Sequence, residues 1–272
     1  MPAAVVIHVK ALRDVIFSGL TGSAIHGLWF QRWKTLDPAF ADLLHGGNGS
    51  ERREFTLSPL LGLERGPQSR LQVLAGNELW FRVTALSERL ETALEQTWLD
   101  GLVGQTLEVR SPDLFEVTAI SRTQQEHTWA GKQGYAELTE TYLYNMRPSL
   151  RWKLEFITPT TFKNSNLYLP FPMPASLVTS WLSRWQAFAP VSLENNLAEK
   201  ARNAVAVAGY SLRTLDVREE DRHYAGCLGN MRLEAHSLPP SDRAALDLLA
   251  AYAFYCGTGH KTAQGQGVTR VL

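Results

Sequence analysis

Two stretches of this chain carry the residue types that chemistry needs. The first is "LDPAFADLLHGG" (36–47), where His45 ends a short apolar run and is followed by Gly46 and Gly47. An imidazole titrates near pH 6.5, so it can give or take a proton at neutral pH. The second is "YCGTGHKTAQGQG" (255–267), with Gly257 and Gly259, then five residues, then Gly265 and Gly267. His260, Lys261 and Thr262 lie between the glycine pairs. Such a loop suits phosphate, because main-chain N–H groups can approach an anion where no side chain intervenes. Spacing excludes two familiar phosphate loops. A nucleotide-triphosphate loop needs glycine directly before the lysine, and here His260 stands there. A dinucleotide fingerprint needs a third glycine at position 262, which is threonine. Glycine at a helix C-cap followed by a loose tail accounts for the same residue types equally well.

The elements that must position these groups follow from periodicity. Val5, Ile7, Val9 and Ala11 alternate with polar positions and read as a first strand. Gly22 to Trp33 is helical in character, and it contains His26. Asp37 suits an N-cap and Pro38 a first helical position, so His45 is expected at the C-terminus of a short helix ended by Gly46-Gly47. A cation there complements the helix dipole, which is the ordinary structural reason for such a histidine. "EFTLSPL" (54–60) reads as a strand, and "RLQVL" (70–74) with "ELWFRVTAL" (78–86) as a hairpin through "AGN". Ser87 caps a helix to Leu99, and "TLEVR" and "LFEVTAISR" follow as strands.

After a polar stretch (123–140) the pattern recurs. It runs through a strand at 150–160, a helix at 176–188, strands at "NAVAVAGYSL" and "NMRLEAH", a helix at 241–256 capped by Ser241, and a last strand in "GVTRVL". Each half is a strand–helix–strand–strand–helix–strand unit, the ferredoxin-like (RRM-like) arrangement of an α+β protein. The expected domains are 1–147 and 148–272.

Composition narrows the class. Net charge is zero, with 27 basic and 27 acidic residues, which argues against non-specific polyanion binding but leaves a local basic groove open. Cys227 and Cys256 are too few for a disulfide framework and lack metal-site spacing, so buried thiols, a cytoplasmic location and no metal cofactor are expected. The charged, alternating N-terminus is neither a signal peptide nor a membrane span, and no membrane partner is expected.

Four stretches, in order, resemble one family. "AIHGLWFQRWKTLDPAFADLLHGGNG" is similar to its first helical region ending in Leu-His, and "REFTLSPLLG" to the strand that follows. "LRWKLEFITPTTF" is similar to the opening of its second domain, and "FYCGTGHKTAQGQGVTRV" to its C-terminal glycine-rich loop. The family is the Cas6 endoribonucleases of CRISPR systems, within the repeat-associated RNA-binding (RAMP) superfamily. The resemblance implies two ferredoxin-like domains and metal-independent cleavage of CRISPR precursor RNA within each repeat. It also implies attack by the 2'-hydroxyl, 5'-hydroxyl and 2',3'-cyclic phosphate products, and retention of the product in some members.

Site residues follow from the same resemblance. His45 matches the catalytic histidine, and His26 is the second candidate for proton transfer. Some members place a tyrosine about fifteen residues before the histidine; here Trp29 and Phe30 stand in that neighbourhood and cannot transfer protons. Members also place a lysine after the histidine, where this chain has Arg52 and Arg53. Gly257, Gly259, His260, Lys261, Thr262, Gly265 and Gly267 are the candidate RNA-binding loop, and Arg151 and Lys153 on one strand face are candidate backbone contacts. The partner implied is CRISPR repeat RNA. A non-catalytic RNA-binding role in an effector complex, with other effector subunits as partners, stands as the alternative. His8, His127, His223 and His236 lie outside these stretches and are assigned no role, the last three being expected at the surface.

Overall fold

The computed structural model describes residues 1–46, 52–64, 70–219 and 222–272. Two compact units compose it: Met1–Lys132 with Ala263–Gly265, and Gln133–Thr262 with Gln266–Leu272.

In the first unit the elements are β1 (Ala3–Ala11), β2 (Val15–Phe17), α1 (Gly22–Leu36), α2 (Pro38–Gly46), β3 (Phe55–Leu57), β4 (Leu71–Val73) and β5 (Glu78–Ala85). They continue as α3 (Glu88–Ala93), β6 (Thr106–Arg110), β7 (Asp113–Ser121) and β8 (Gly131–Lys132). The main sheet runs β3-β5-β1-β7-β6 and is antiparallel throughout, with β8 also on β1. The alternation expected of β1 is present: Val5, Ile7, Val9 and Ala11 join the core cluster. Val6 and Ala4 are buried as well, and so is Arg82, whose Nε donates to the Trp129 carbonyl at 2.7 Å.

α1 buries Ile25, Leu28, Trp29, Phe30 and Trp33, a three-and-four spacing that makes one apolar stripe. Trp29 sits at the centre, 5.2 Å from the Trp98 ring and 5.3 Å from the Phe55 ring. Asp37 starts α2 as expected, its Oδ1 accepting the Phe40 N–H at 2.9 Å. Ser87 caps α3 by accepting the Leu90 N–H at 3.1 Å, and the helix then widens into a π turn over Leu94–Trp98.

One expectation fails here. β4 and β5 are joined by the Ala75–Asn77 turn but do not pair: β4 pairs with β2. β5 already bonds β1 along one edge and β3 along the other, so it has no free edge for β4.

The second unit contains α4 (Tyr135–Leu138), β9 (Arg151–Thr160), β10 (Phe162–Asn164), β11 (Leu167–Leu169), α5 (Pro174–Phe188) and α6 (Leu197–Ala204). β12 (Ala206–Glu219), β13 (Arg222–Glu234), α7 (Pro240–Cys256) and β14 (Thr269–Val271) complete it. Its sheet runs β12-β13-β9-β14, antiparallel. Numbered within the unit, that order is 2-3-1-4, the split arrangement of a ferredoxin-like domain; β3-β5-β1-β7 gives the same order in the first unit. The protein is thus two tandem ferredoxin-like domains.

Trp152 is core, 4% exposed, with its Nε1 donating to Asp247 Oδ1 at 2.7 Å. α7 begins one residue earlier than expected. Pro239 occupies the N-cap position, Ser241 lies inside the helix, and no side chain caps it. α6 was not foreseen, and β12 and β13 extend beyond the expected strands into one long hairpin. Cys227 and Cys256 are free and buried, and burial pushes the Cys227 thiol up to about 12. Among the described residues no helix is long and apolar enough to cross a membrane.

Candidate active site

His26 lies on α1 and His45 in the last turn of α2, and the two line one surface groove of about 510 Å³ with Gly27, Phe30, Gln31, Lys34 and Thr35. The groove follows from helical geometry. Residues 26, 30 and 34 are four apart and form one row, and 27, 31 and 35 form the next. α2 runs back along α1, so its last turn brings His45 to that row. The Phe30 ring packs against both histidines, 4.9 Å from the His26 ring and 5.3 Å from the His45 ring, edge-on to both.

The electrostatics of the two histidines differ in origin. His26 is half-buried, and burial holds its imidazole below the ordinary 6.5. The Arg53 guanidinium and His45 push it in the same direction, because each disfavours a second positive charge nearby. His45 is exposed.

Arg53 has a definite structural task. Its guanidinium donates to the main-chain carbonyls of Leu44 and His45, two acceptors that the end of α2 leaves without intrahelical partners. It therefore fixes the turn that carries His45 as well as acting on His26. Arg52 is exposed and does not line the groove. Glu54 is turned away, bound by Ser87 and Arg89. Gly47, expected to end α2, lies outside the described residues.

Lys34 was missed by sequence reasoning. It is the cation of the groove wall, eight residues after His26, and that interval on a helix was the available signal.

The glycine-rich loop follows α7; Gly257, Gly259 and Gly267 belong to the second unit and Gly265 to the first. Gly257, Gly259, Gly265 and Gly267 all have positive φ, as does Lys261 at 56°. Three of the four glycines are buried, and what crowds them is the protein itself. A Cβ on Gly267 would lie 1.9 Å from the Thr258 carbonyl oxygen, and on Gly259 2.4 Å from that of Thr161. A Cβ on Gly265 would lie 2.7 Å from the Gly22 Cα. Internal packing and a left-handed conformation are thus sufficient reason for these glycines, whatever approaches the loop from outside. Thr262 is buried, too. His260 and Lys261 are the half-exposed members; the His260 ring lies 5.9 Å from that of Tyr168, which stacks on Tyr224 at 4.4 Å. Arg151 and Lys153 are both exposed on β9, and Arg151 pairs with Glu234 at 2.9 Å.

A second histidine pair lies on the sheet of the first unit. His8 Nε2 is 2.8 Å from Ser121 Oγ, and its ring is 5.5 Å from that of His127, which packs 4.6 Å from Trp80. His127 is half-buried rather than on the surface as expected, because its turn folds onto the sheet. His223 and His236 are exposed. Among the described residues no group of three or more His, Cys, Asp or Glu side chains could hold a metal ion.

Comparison with known proteins adds the following. The family model for the CRISPR Cas6 N-terminal domain matches residues 1–140, and that for the CRISPR-associated endoribonuclease Cas6 matches 154–269. A Cas6 product complex superposes with TM-score 0.78 at 25% identity, covering 100% of this chain and 99% of that one. Thermus thermophilus Cas6 gives TM-score 0.75 at 27% identity, over 100% of this chain and 98% of that one. A histidine-to-alanine mutant of a Cas6 gives 0.74 at 25%, over 99% of each. No curated protein sequence matches.

Proposed function

The chain belongs to the Cas6 family of CRISPR-associated endoribonucleases, and on that premise we propose that it cuts CRISPR precursor RNA within each repeat by 2'-hydroxyl attack, without a metal ion. The observation that carries the reading is the shared groove: two histidines from two helices, both packed against Phe30, with Lys34 on the wall. His26, kept neutral by burial and by the neighbouring Arg53, takes the proton from the 2'-hydroxyl. The 2'-oxygen forms a bond to phosphorus, the bond from phosphorus to the 5'-oxygen breaks, and His45 gives the departing oxygen its proton. The products are a 5'-hydroxyl and a 2',3'-cyclic phosphate. Lys34 and Arg53 stabilise the charge that gathers on the phosphorane oxygens, a contribution worth roughly 10²–10³ in rate for one well-placed donor. Half-exposed Lys261 and His260 and exposed Lys153 hold the RNA backbone. Product complexes among the structural relatives support a product that stays bound after the cut.

The test is single-turnover cleavage of a repeat RNA in the presence of chelator. His45→Ala and His26→Ala should each slow cleavage by roughly 10²–10⁴ and leave RNA affinity nearly intact. A folded His45→Ala that cuts at the wild-type rate removes the assignment. Wild-type protein that binds the repeat and leaves it uncut points instead to a non-catalytic subunit.

A further inference from the structure

We infer that Arg184 is a positioning residue for the glycine-rich loop, the means by which α5 holds Lys261 in the conformation that presents its ammonium to an RNA phosphate. The inference rests on the function proposed above. Three side chains from neighbouring turns of α5 grip the four residues that lead into the loop. Ser180 Oγ accepts the Gly259 N–H at 2.8 Å, and Trp181 Nε1 donates to Thr258 Oγ1 at 2.8 Å. The Arg184 guanidinium forks between two main-chain oxygens, those of Cys256 and Gly259.

Cys256 is the last residue of α7, so Arg184 also places its charge at the negative end of that helix. Both glycines between and beside these oxygens, Gly257 and Gly259, are left-handed. Farther on, the His260 N–H donates to the Thr161 carbonyl at 2.7 Å, and the Lys261 carbonyl accepts the Gln266 N–H at 3.3 Å. Lys261 itself has φ of 56°, which a lysine adopts only where its surroundings impose it. Its neighbours on both sides are tied, and the tie that carries charge and spans two carbonyls is Arg184. Removing it frees the Cys256 and Gly259 oxygens and lets Lys261 relax to the right-handed region, away from the phosphate.

The experiment measures affinity for an RNA oligonucleotide carrying the source genome's CRISPR repeat, at several salt concentrations. The proteins are wild type, Arg184→Gln, Lys261→Ala and the double variant. Each single change should weaken binding by about tenfold and reduce the slope of log affinity against log salt by about one. The double variant should bind no more weakly than the weaker single, because the contact is already lost. Arg184→Lys should rescue little, since a single nitrogen on a shorter side chain lacks the two separated NH2 groups that reach these carbonyls, three residues apart. Cleavage by Arg184→Gln at saturating RNA should stay within about twofold of wild type, the mark of a residue that acts on binding through the loop. Ser180→Ala is the gentler variant should Arg184→Gln fail to fold, with the same effect on slope at smaller amplitude. Additive losses, or an unchanged slope, overturn the inference. Wild type that does not bind the repeat overturns the proposed function, and this inference with it.

Discussion

Replacing Gly267 by alanine tests whether the glycine-rich loop is built for its own packing or for its ligand. The new Cβ would lie 1.9 Å from the Thr258 carbonyl oxygen and 2.9 Å from its carbon. Relief requires a separation of at least 3.0 Å, and therefore a main-chain shift of about 1 Å. Two bonds cannot survive that shift: Thr258 N–H to the Gly267 carbonyl at 2.8 Å, and Gly267 N–H to the Pro159 carbonyl at 3.0 Å. Both lie among buried residues, where an unmade bond costs about 1–3 kcal/mol. Alanine held at φ of 70° adds roughly 1 kcal/mol. The expected loss is about 3–7 kcal/mol, a large part of the total stability of an ordinary domain. The melting temperature, measured by calorimetry with no RNA present, should fall by roughly 6–28 °C, at about 2–4 °C per kcal/mol. Gly27→Ala is the control. No heavy atom comes within 4 Å of its added Cβ, and the position is helical, so stability should rise by about 0.5–1 kcal/mol. A Gly267→Ala protein that melts with wild type and binds RNA poorly would refute the packing argument.

Two further outcomes are expected. Burial lowers the pKa of His8, His26 and His127, so each takes up a proton more readily unfolded than folded, and the stability present above about pH 6.5 is lost as pH falls below it. Urea midpoints at about pH 7.5 and about pH 5.5 should therefore differ, and a His8→Gln, His127→Gln protein should show a smaller difference; an unchanged one would remove this explanation. Asp247 accepts both the Trp152 indole N–H at 2.7 Å and the Ser149 N–H at 2.8 Å, so Asp247→Ala should cost about 2–4 kcal/mol in chemical denaturation. Trp152→Phe in that background should recover part of the loss by deleting the orphaned donor, and a purely additive pair would show that the bond is not the cause.

Much of the candidate site was legible because local chemistry agrees with the fold. Asp37 and Pro38 start α2 where a cap and a first-turn proline should, and the helix is short enough that its last turn carries His45. His26 was legible only as a residue type. What makes it interesting is Phe30 and Arg53, and both act through space. Lys34 was overlooked because the expected helix stopped at Trp33, one residue short of the third member of the row. The hairpin through Ala75–Asn77 misled because a turn signal specifies a reversal and says nothing about which strand has an edge free. α6 was hidden in a polar stretch without a side-chain cap. The glycines were read as leaving room for an anion, whereas the atoms that crowd them come from Thr161, Thr258 and Gly22, neighbours no local pattern reveals.

Phe30 has a consequence for turnover. In the proposed reaction each cut leaves His26 protonated and His45 without its proton, and both must reset before another cut. A phenyl ring offers neither donor nor acceptor, so Phe30, which packs against both imidazoles, cannot relay a proton from one to the other. The reset has to run through solvent or buffer at the mouth of the groove, where His45 is exposed and His26 half-covered. Repeated catalysis would thus include a recovery step, sensitive to buffer and separable from bond cleavage. A nuclease that keeps its product after a single cut never reaches that step.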